Sequence, residues 1–415
     1  MEPPVPVATA PAVPVRHRAT TWSRARDAAR ELATAHLRTG TREAPVAHVP
    51  LADALGAALA VPVTARAAVP ACDSAAMDGY AVAGPGPWRL VGRALAGRPG
   101  PVRRLRPGEA VEIATGAPVP ARTEAVLPYE RAVCDGDRIE GPVRPGRHVR
   151  HRGESVPAGA VLAPAGTVVT PALLGLAAGT GHDSLPVRRP RVAALVTGDE
   201  VVPTGLPGPG AVRDAIGPML PGLVRWAGGV LAGSAHVADG RARLTAELRA
   251  AAADPATELV VVCGASSAGP ADHLRGALDA LAADVGVDGV ACRPGHPQLL
   301  AALPGGPLVV GLPGNPNAAL VAALTLLVPA LSALAGRRDP AHAGRRAHLA
   351  GPADRHARDT RLVAVRVRDG RAAPVGGDGP AALRGAAVAD ALAVLPPRDG
   401  TPDSAGPVEL VELPY

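Results

Sequence analysis

Phenylalanine is missing from this 415-residue chain, and aromatic residues make up only 1% of it. A core so poor in large rings must be filled mostly by Ala, Val and Leu, which bury less area each. The same lack leaves a nucleic-acid reader without stacking platforms for bases, so nucleic acid is not an expected partner. Lysine is missing too, and every strong side-chain cation is arginine, a bias of the kind a GC-rich coding composition produces. Cysteine is scarce: Cys72, Cys134, Cys263 and Cys292 lie far apart, in neither a paired-ligand spacing nor a disulfide framework. They are expected to be buried apolar fillers in a reducing compartment. The Pro/Ala-rich start lacks the charged-then-apolar pattern of a signal peptide, and no uninterrupted apolar stretch is read as long enough to span a bilayer. A cytoplasmic protein without a membrane partner is the expectation.

What is present narrows the field. The length exceeds a single hydrophobic core, so several domains are expected. A hydrophobic share of 47% against 19% charged residues excludes global disorder, while 49 Gly and 47 Pro imply many turns. The net charge of +6 favours anionic ligands, although the arginines are scattered.

Along the chain, residues 1–19 are low-complexity and expected to form a tail. WSRARDAARELATAHL, from Trp22 to Leu37, alternates charged and Ala/Leu positions on a helical period. Residues 45–190 then break short Val/Leu/Ala runs with Gly and Pro, and residues 20–190, that helix included, are expected to form a β-rich N-terminal region of two subdomains. From Arg191 to residue 336 continuous apolar runs precede small polar loops, in RVAALVTGDEVV, ELVVVCGASSAG and PLVVGLPGNP. Such runs are parallel strands buried on both faces, with segments 216–227, 241–253 and 271–283 as helices. Asn315 and Pro316 suit an N-cap and a first helical residue. In an open sheet of this kind a ligand sits beyond the carboxyl ends of the strands, where these loops lie. Residues 337–415, with RLVAVRV, a turn at Asp369-Gly370 and VELVELP, predict a small C-terminal β-domain. The expected fold class is therefore α/β, with a β-rich N-terminal region, a central three-layer α/β domain and a C-terminal β-domain.

The loops share one chemistry: small residues whose backbone N–H groups can approach an oxyanion, beside carboxylates able to hold a divalent cation. Taken singly each is more simply a turn or a cap. Eight blocks in order, however, resemble those of the molybdopterin molybdotransferases: CDSAAMDGYAV, EIATGAPVPARTEAVLPYE, VRHRGESVPAGAVLAPAGT, RPRVAALVTGDEVV, VRDAIGPML, GASSAGPADHL, RPGHP and GLPGNP. The tail AALRGAAVADALAVLP is similar to that family's C-terminal domain.

The resemblance implies a homodimer that takes adenylylated molybdopterin and molybdate and, with Mg2+, releases AMP and molybdenum cofactor. Other proteins of molybdenum cofactor biosynthesis are implied as further partners. By resemblance Asp78, Glu200 and Asp272 form the catalytic, magnesium-associated acidic group, with Asp199 beside them. Substrate contacts are implied for Thr115, Gly116, Arg150, Arg152, Asp214, Ser266, Ser267, Gly269, Arg293, His296, Pro313, Gly314 and Asn315. Core packing is the simpler reading of Met77 and Tyr80, in the first block, and is the expectation for Met77.

Departures from the family pattern bear on turnover. Ser155 replaces a carboxylate, Ile216 stands where asparagine is usual, Ala265 breaks a double glycine and Ala318 replaces serine. The two lysines of KPGKP are Arg293 and His296; arginine keeps the charge but not the geometry, and an imidazole is only partly charged at neutral pH. Two outcomes stay open at this point: an active insertase, or a non-catalytic molybdopterin-binding carrier or regulatory paralogue.

Overall fold

The computed structural model describes residues 19–38, 46–97, 104–264, 266, 269, 272–351, 354–377, 379–398 and 406–414. The expected tail, apart from residue 19, lies outside them, as do Ala265 and Ser267. The chain divides into two compact units, one of His48–Leu55 and Val61–Pro186, the other of Met1–Ala47, Gly56–Ala60 and Val187–Tyr415. In sequence the first is inserted into the second. The mixed α/β class expected from the sequence is the one observed.

The inserted unit is built on strands β1 (Gly79–Ala83), β2 (Trp88–Ala94), β3 (Glu109–Ile113), β4 (Ala125–Pro128), β5 (Val133–Asp135) and β6 (Arg138–Glu140). Their order in the sheet is β5-β6-β2-β3-β1-β4. Side chains alternate across the pleat, so β1 sends Val82 to a cluster with Trp88, Leu127 and Ile139, and Ala81 to one with Ala75, Ile113 and Val126. Met77, expected in the core, is 37% exposed. It lies in the bend 76–78 that leads into β1.

In the main unit the strands are β7 (Arg191–Thr197), β8 (Val230–Val237), β9 (Thr257–Cys263), β10 (Asp284–Asp288), β11 (Val290–Arg293), β12 (Leu299–Ala302) and β13 (Leu308–Leu312). The large sheet runs β8-β7-β9-β13-β12-β10, with the first four strands parallel and the last two antiparallel. All seven residues of β9 and all five of β13 are buried, which is why they read as unbroken apolar runs rather than alternations. One face packs Leu223, Leu327 and Leu331; the other packs Leu244, Leu248, Leu274 and Leu278. The closing part of the chain forms β14 (Arg346–Leu349), β15 (Thr360–Arg368), β16 (Arg371–Pro374), β17 (Ala391–Leu395) and β18 (Val408–Glu412). They pair in the ring β15-β16-β14-β18-β17-β15, and β11 extends β15 in parallel. The β15–β16 hairpin turns at Asp369-Gly370, both with φ above zero, as predicted.

The helix Pro316–Leu334 corrects one expectation: its 19 residues are apolar and long enough to cross a membrane by composition, but 94% of that window is buried in the unit. It is a core helix. Asn315 caps it in an extended conformation with Pro316 at the first position, and its middle turn, Ala323–Leu327, is a π-helix. There Val328 donates its N–H to Ala323 five residues back. The next donor in that register would be residue 329, a proline without an N–H, which leaves the Leu324 carbonyl without a helical partner. Arg26, on helix α1 (Trp22–Arg38), donates to that carbonyl and to Asp339, while Trp22 Nε1 donates to Thr325 Oγ1 at 3.1 Å.

Candidate functional site

In the inserted unit the segment 73–79 is the hub. The Asp78 carboxylate accepts the backbone N–H of Thr115 at 2.6 Å, and Gly116 donates its N–H to Ala75 O. That bond holds the Asp78 carboxyl below its ordinary value, helped by the Thr115 side chain. Arg150 sits opposite Ser74 in a short antiparallel pair, and Arg152 donates its N–H to Asp73 Oδ1 at 2.8 Å. Asp78, Thr115, Gly116, Arg150 and Arg152 are thus gathered around one segment, all with exposed side chains or backbone.

Three neighbours were not singled out from the sequence. Tyr129 donates its N–H to Asp78 O and its hydroxyl to Glu112 Oε1 at 2.8 Å, and Arg93 Nε donates to Glu112 Oε2 at 2.6 Å. Arg93, then Tyr129, hold the Glu112 carboxyl below its usual range, while burial, then Glu112, push the Tyr129 phenol up to about 12. Tyr80 meets Tyr129 edge to face with centroids 5.3 Å apart. It is half-buried and packs against the cluster of Val82, Trp88 and Leu127. The signal for Glu112 was its place opposite Tyr80 in the β1–β3 register, which needs the strand pairing to be known.

In the main unit the loops after β7, β9 and β13 are joined. Gly264 donates its N–H to Leu312 O, and a Cβ at Gly264, where φ is +88°, would meet Thr197 Oγ1 at 2.7 Å. Glycine alone fits there. Ser266 is 1% exposed, and its hydroxyl donates to Pro297 O at 2.9 Å. Gly295, at φ +100°, lies so close to Ala318 O that a Cβ would sit 3.1 Å from it. The loop 293–298 is closed from inside by Gln298, which is fully buried and donates Nε2 to Gly295 O at 2.7 Å and to Cys292 Sγ at 3.3 Å. Arg293 and His296 are exposed on it; Pro313 is buried, and Gly314 and Asn315 are exposed at the head of the core helix.

The acids of this unit each serve a loop. Asp199 and Asp239 exchange bonds, each donating its backbone N–H to the other's carboxylate, at 3.1 and 3.4 Å. Asp239 was missed because its pairing with Asp199 spans 40 residues and depends on β7 and β8 being neighbours. Asp272 accepts the Gly269 N–H at 2.7 Å, and Asp214 Oδ1 accepts from both Ile216 and Gly217 at 2.9 Å, capping the turn before the helix Leu220–Trp226. Ile216 is 7% exposed and has joined the core; Ala318 is buried too, its N–H donating to Pro380 O. Ser155 is exposed. Asp78 belongs to one unit, and Glu200 and Asp272 to the other. Among the described residues no three of His, Cys, Asp or Glu converge as a metal cluster. Exposed Asp199 and Glu200 instead present hard oxygen donors of the kind that hold magnesium jointly with water and substrate phosphate. Arg361, also unforeseen, lies beside Arg293 because β11 and β15 pair at those positions.

Two of the four cysteines are not buried fillers: Cys72 and Cys134 are exposed, and Cys134 Sγ lies 3.3 Å from the Tyr80 hydroxyl. That contact, then burial, pushes the Tyr80 phenol up to about 12. Cys263 and Cys292 are buried as expected, and burial raises both thiols, Cys292 to about 12.

A parallel sheet whose joined carboxyl-end loops carry backbone donors, arginine and carboxylates, with a second acid–threonine cluster on an inserted β-rich unit, defines a multidomain protein suited to a phosphate-bearing anionic ligand. Residues 22–181 match the MoeA N-terminal region (domain I and II), and residues 193–333 match a family described as a probable molybdopterin binding domain. Molybdopterin molybdenumtransferase 2 of Mycobacterium tuberculosis is 37% identical over 311 residues, 70% of this chain and 76% of that protein. Molybdopterin molybdenumtransferase of Bacillus subtilis is 30% identical over 378 residues, 84% of this chain and 85% of that one. A crystal structure of a molybdopterin biosynthesis MoeA protein from Pyrococcus horikosii superposes with a TM-score of 0.72 at 25% identity, covering 95% of this chain and 97% of the other. The chain belongs to the molybdopterin molybdenumtransferase family, and its role is in molybdenum cofactor biosynthesis.

Proposed function

We propose that this protein inserts molybdate into adenylylated molybdopterin and releases AMP, working as a cytoplasmic homodimer. The observation that carries this reading is the bond from Ser266, after β9, to Pro297 together with the close approach of Gly295 to Ala318 in the first turn of the core helix. It sets the head of a 19-residue helix, where Gly314 and Asn315 are exposed, on the same fastened framework as Arg293.

In this proposal the exposed Gly314 and Asn315 backbone and the Gly269 loop cradle phosphate and pterin, with Pro313 shaping the turn. Arg293 and His296 receive the molybdate oxyanion. Asp78, kept ionised by Thr115, joins Gly116, Arg150 and Arg152 as the inserted unit's own substrate-binding residues. Glu200 and Asp272, with Asp199 and Asp214 as neighbours, are the carboxylates that would hold a magnesium ion. That ion neutralises charge on the anhydride when bound. The protein's own residues orient the two anions and keep the donors aligned, which is most of what such a transfer requires.

The test is AMP release from adenylylated molybdopterin with and without molybdate. Molybdate-dependent release is expected. Tight pterin binding without AMP release would instead identify the carrier reading, to which the burial of Ile216 and Ala318 in place of polar residues would then belong.

A further inference from the structure

Arg293 ends β11 and pairs in register with Arg361 of β15, so two arginines are neighbours on adjacent strands. Each has its own carboxylate. Arg361 is held to Asp354, whereas Arg293 donates Nε to Asp359 Oδ2 at 2.7 Å. The exposure is unequal: the Asp359 side chain is 16% exposed and that of Arg293 61%. The Asp359 backbone is itself fixed, because its N–H donates to His356 Nδ1 at 3.0 Å. Among the described residues the two terminal nitrogens of Arg293 make no hydrogen bond.

This arrangement addresses a difficulty raised by arginine at this position. An ammonium group is a point charge that serves an oxyanion from any side, whereas a guanidinium serves it well only when its plane is set. A long exposed arginine samples many planes. Tying it at Nε removes that freedom and leaves the opposite edge, Nη1 and Nη2, as a two-pronged donor.

We propose that Asp359 is a positioning residue for Arg293, aiming its terminal nitrogens as a fork at two oxygens of a tetrahedral dianion, which is molybdate if the activity proposed above is right. Lysine at 293 would have no use for the aspartate, so the two residues form one functional pair. Asp359 touches neither pterin nor anion.

The experiment is a double-mutant cycle of Asp359→Ala and Arg293→Lys, read by AMP release and by calorimetric binding of molybdate to the intact protein. In the wild-type background Asp359→Ala should raise the molybdate KM about tenfold, with kcat and the KM for adenylylated molybdopterin within about twofold. In the Arg293→Lys background it should move the molybdate KM by less than about twofold. Asp359→Asn, which still offers an oxygen to Nε, should recover most of the loss. Equal effects of Asp359→Ala in both backgrounds, or a parallel change in all constants, would show a fold role and overturn the proposal. Nitrogen-resolved magnetic resonance of the Arg293 Nε–H adds a readout without turnover: slow exchange in wild type and fast exchange in Asp359→Ala are expected. Fast exchange in both removes the pair whatever the activity. Absence of AMP release from wild type with the exchange difference intact would overturn the insertase reading and leave the pairing standing, with calorimetry deciding whether molybdate is its anion.

Discussion

The Ser266 hydroxyl donates to the carbonyl of Pro297, fastening the loop after β9 to the loop after β11. Because Ser266 is buried, Ser266→Ala leaves that carbonyl unpaired and should destabilise the main unit by about 1 kcal/mol. Loosening Arg293 and His296 should also slow turnover by about tenfold. Urea unfolding and AMP release on the same samples check both; a full stability loss with unchanged turnover would confine the bond to folding.

Asp73 and Asp78 each accept a backbone N–H, from Arg152 and Thr115, and both carboxyls titrate below their ordinary value. A depressed folded value stabilises above the unfolded one and is lost as pH falls through the folded one. The inserted unit should therefore keep its stability down to about pH 4, the ordinary aspartate value, and weaken below it. Asp78→Asn should flatten part of that acid limb, in melting curves between pH 2.5 and 6, taken in steps of about half a unit. The same substitution should abolish most AMP release at pH 7.5 while leaving the protein folded.

Arg26 and Asp339 form an ion pair with side chains 5% and 2% exposed. Removing the cation leaves a buried carboxylate and the orphaned Leu324 carbonyl, so Arg26→Met should destabilise the main unit by about 3–5 kcal/mol. Arg26→Met combined with Asp339→Leu should lose clearly less than the two single changes added together. Additive losses in a denaturation cycle would mean that the pair does not act as one.

Of the four cysteines, Cys72 and Cys134 should react with a maleimide in the native protein at pH 7.5, and all four after unfolding. Mass spectrometry of the labelled chain counts them. Native labelling of Cys292 would contradict its burial and raised thiol.

Much of this architecture could be read in advance, because its signals are local. The unbroken apolar runs of β9 and β13, Asn315-Pro316 at the helix head and Asp369-Gly370 in the hairpin each state their structure within a few residues. Asp78 and Thr115 could be nominated only through the family resemblance of their blocks, and their bond not at all. What escaped depends on pairing between distant segments: Glu112 faces Tyr80 only once β1 and β3 are joined, Asp239 reaches Asp199 across parallel strands, and Asp359 meets Arg293 only through β11 and β15. The exposure of Cys72 and Cys134 escaped for a related reason, since a side chain's neighbours are set by layers that no short window contains.

Trp22 bonds to a threonine 303 positions further along the chain. During synthesis the first helix therefore leaves the ribosome long before the helix that needs its Arg26, and the whole of Val61–Pro186 emerges in between. The inserted unit can close on itself while the main unit still waits for its last third. The apolar face of α1, with Trp22, Ala25, Ala29 and Ala33, stays uncovered for that interval. A nascent chain stalled near residue 300 is the form in which chaperones would be expected to find this protein.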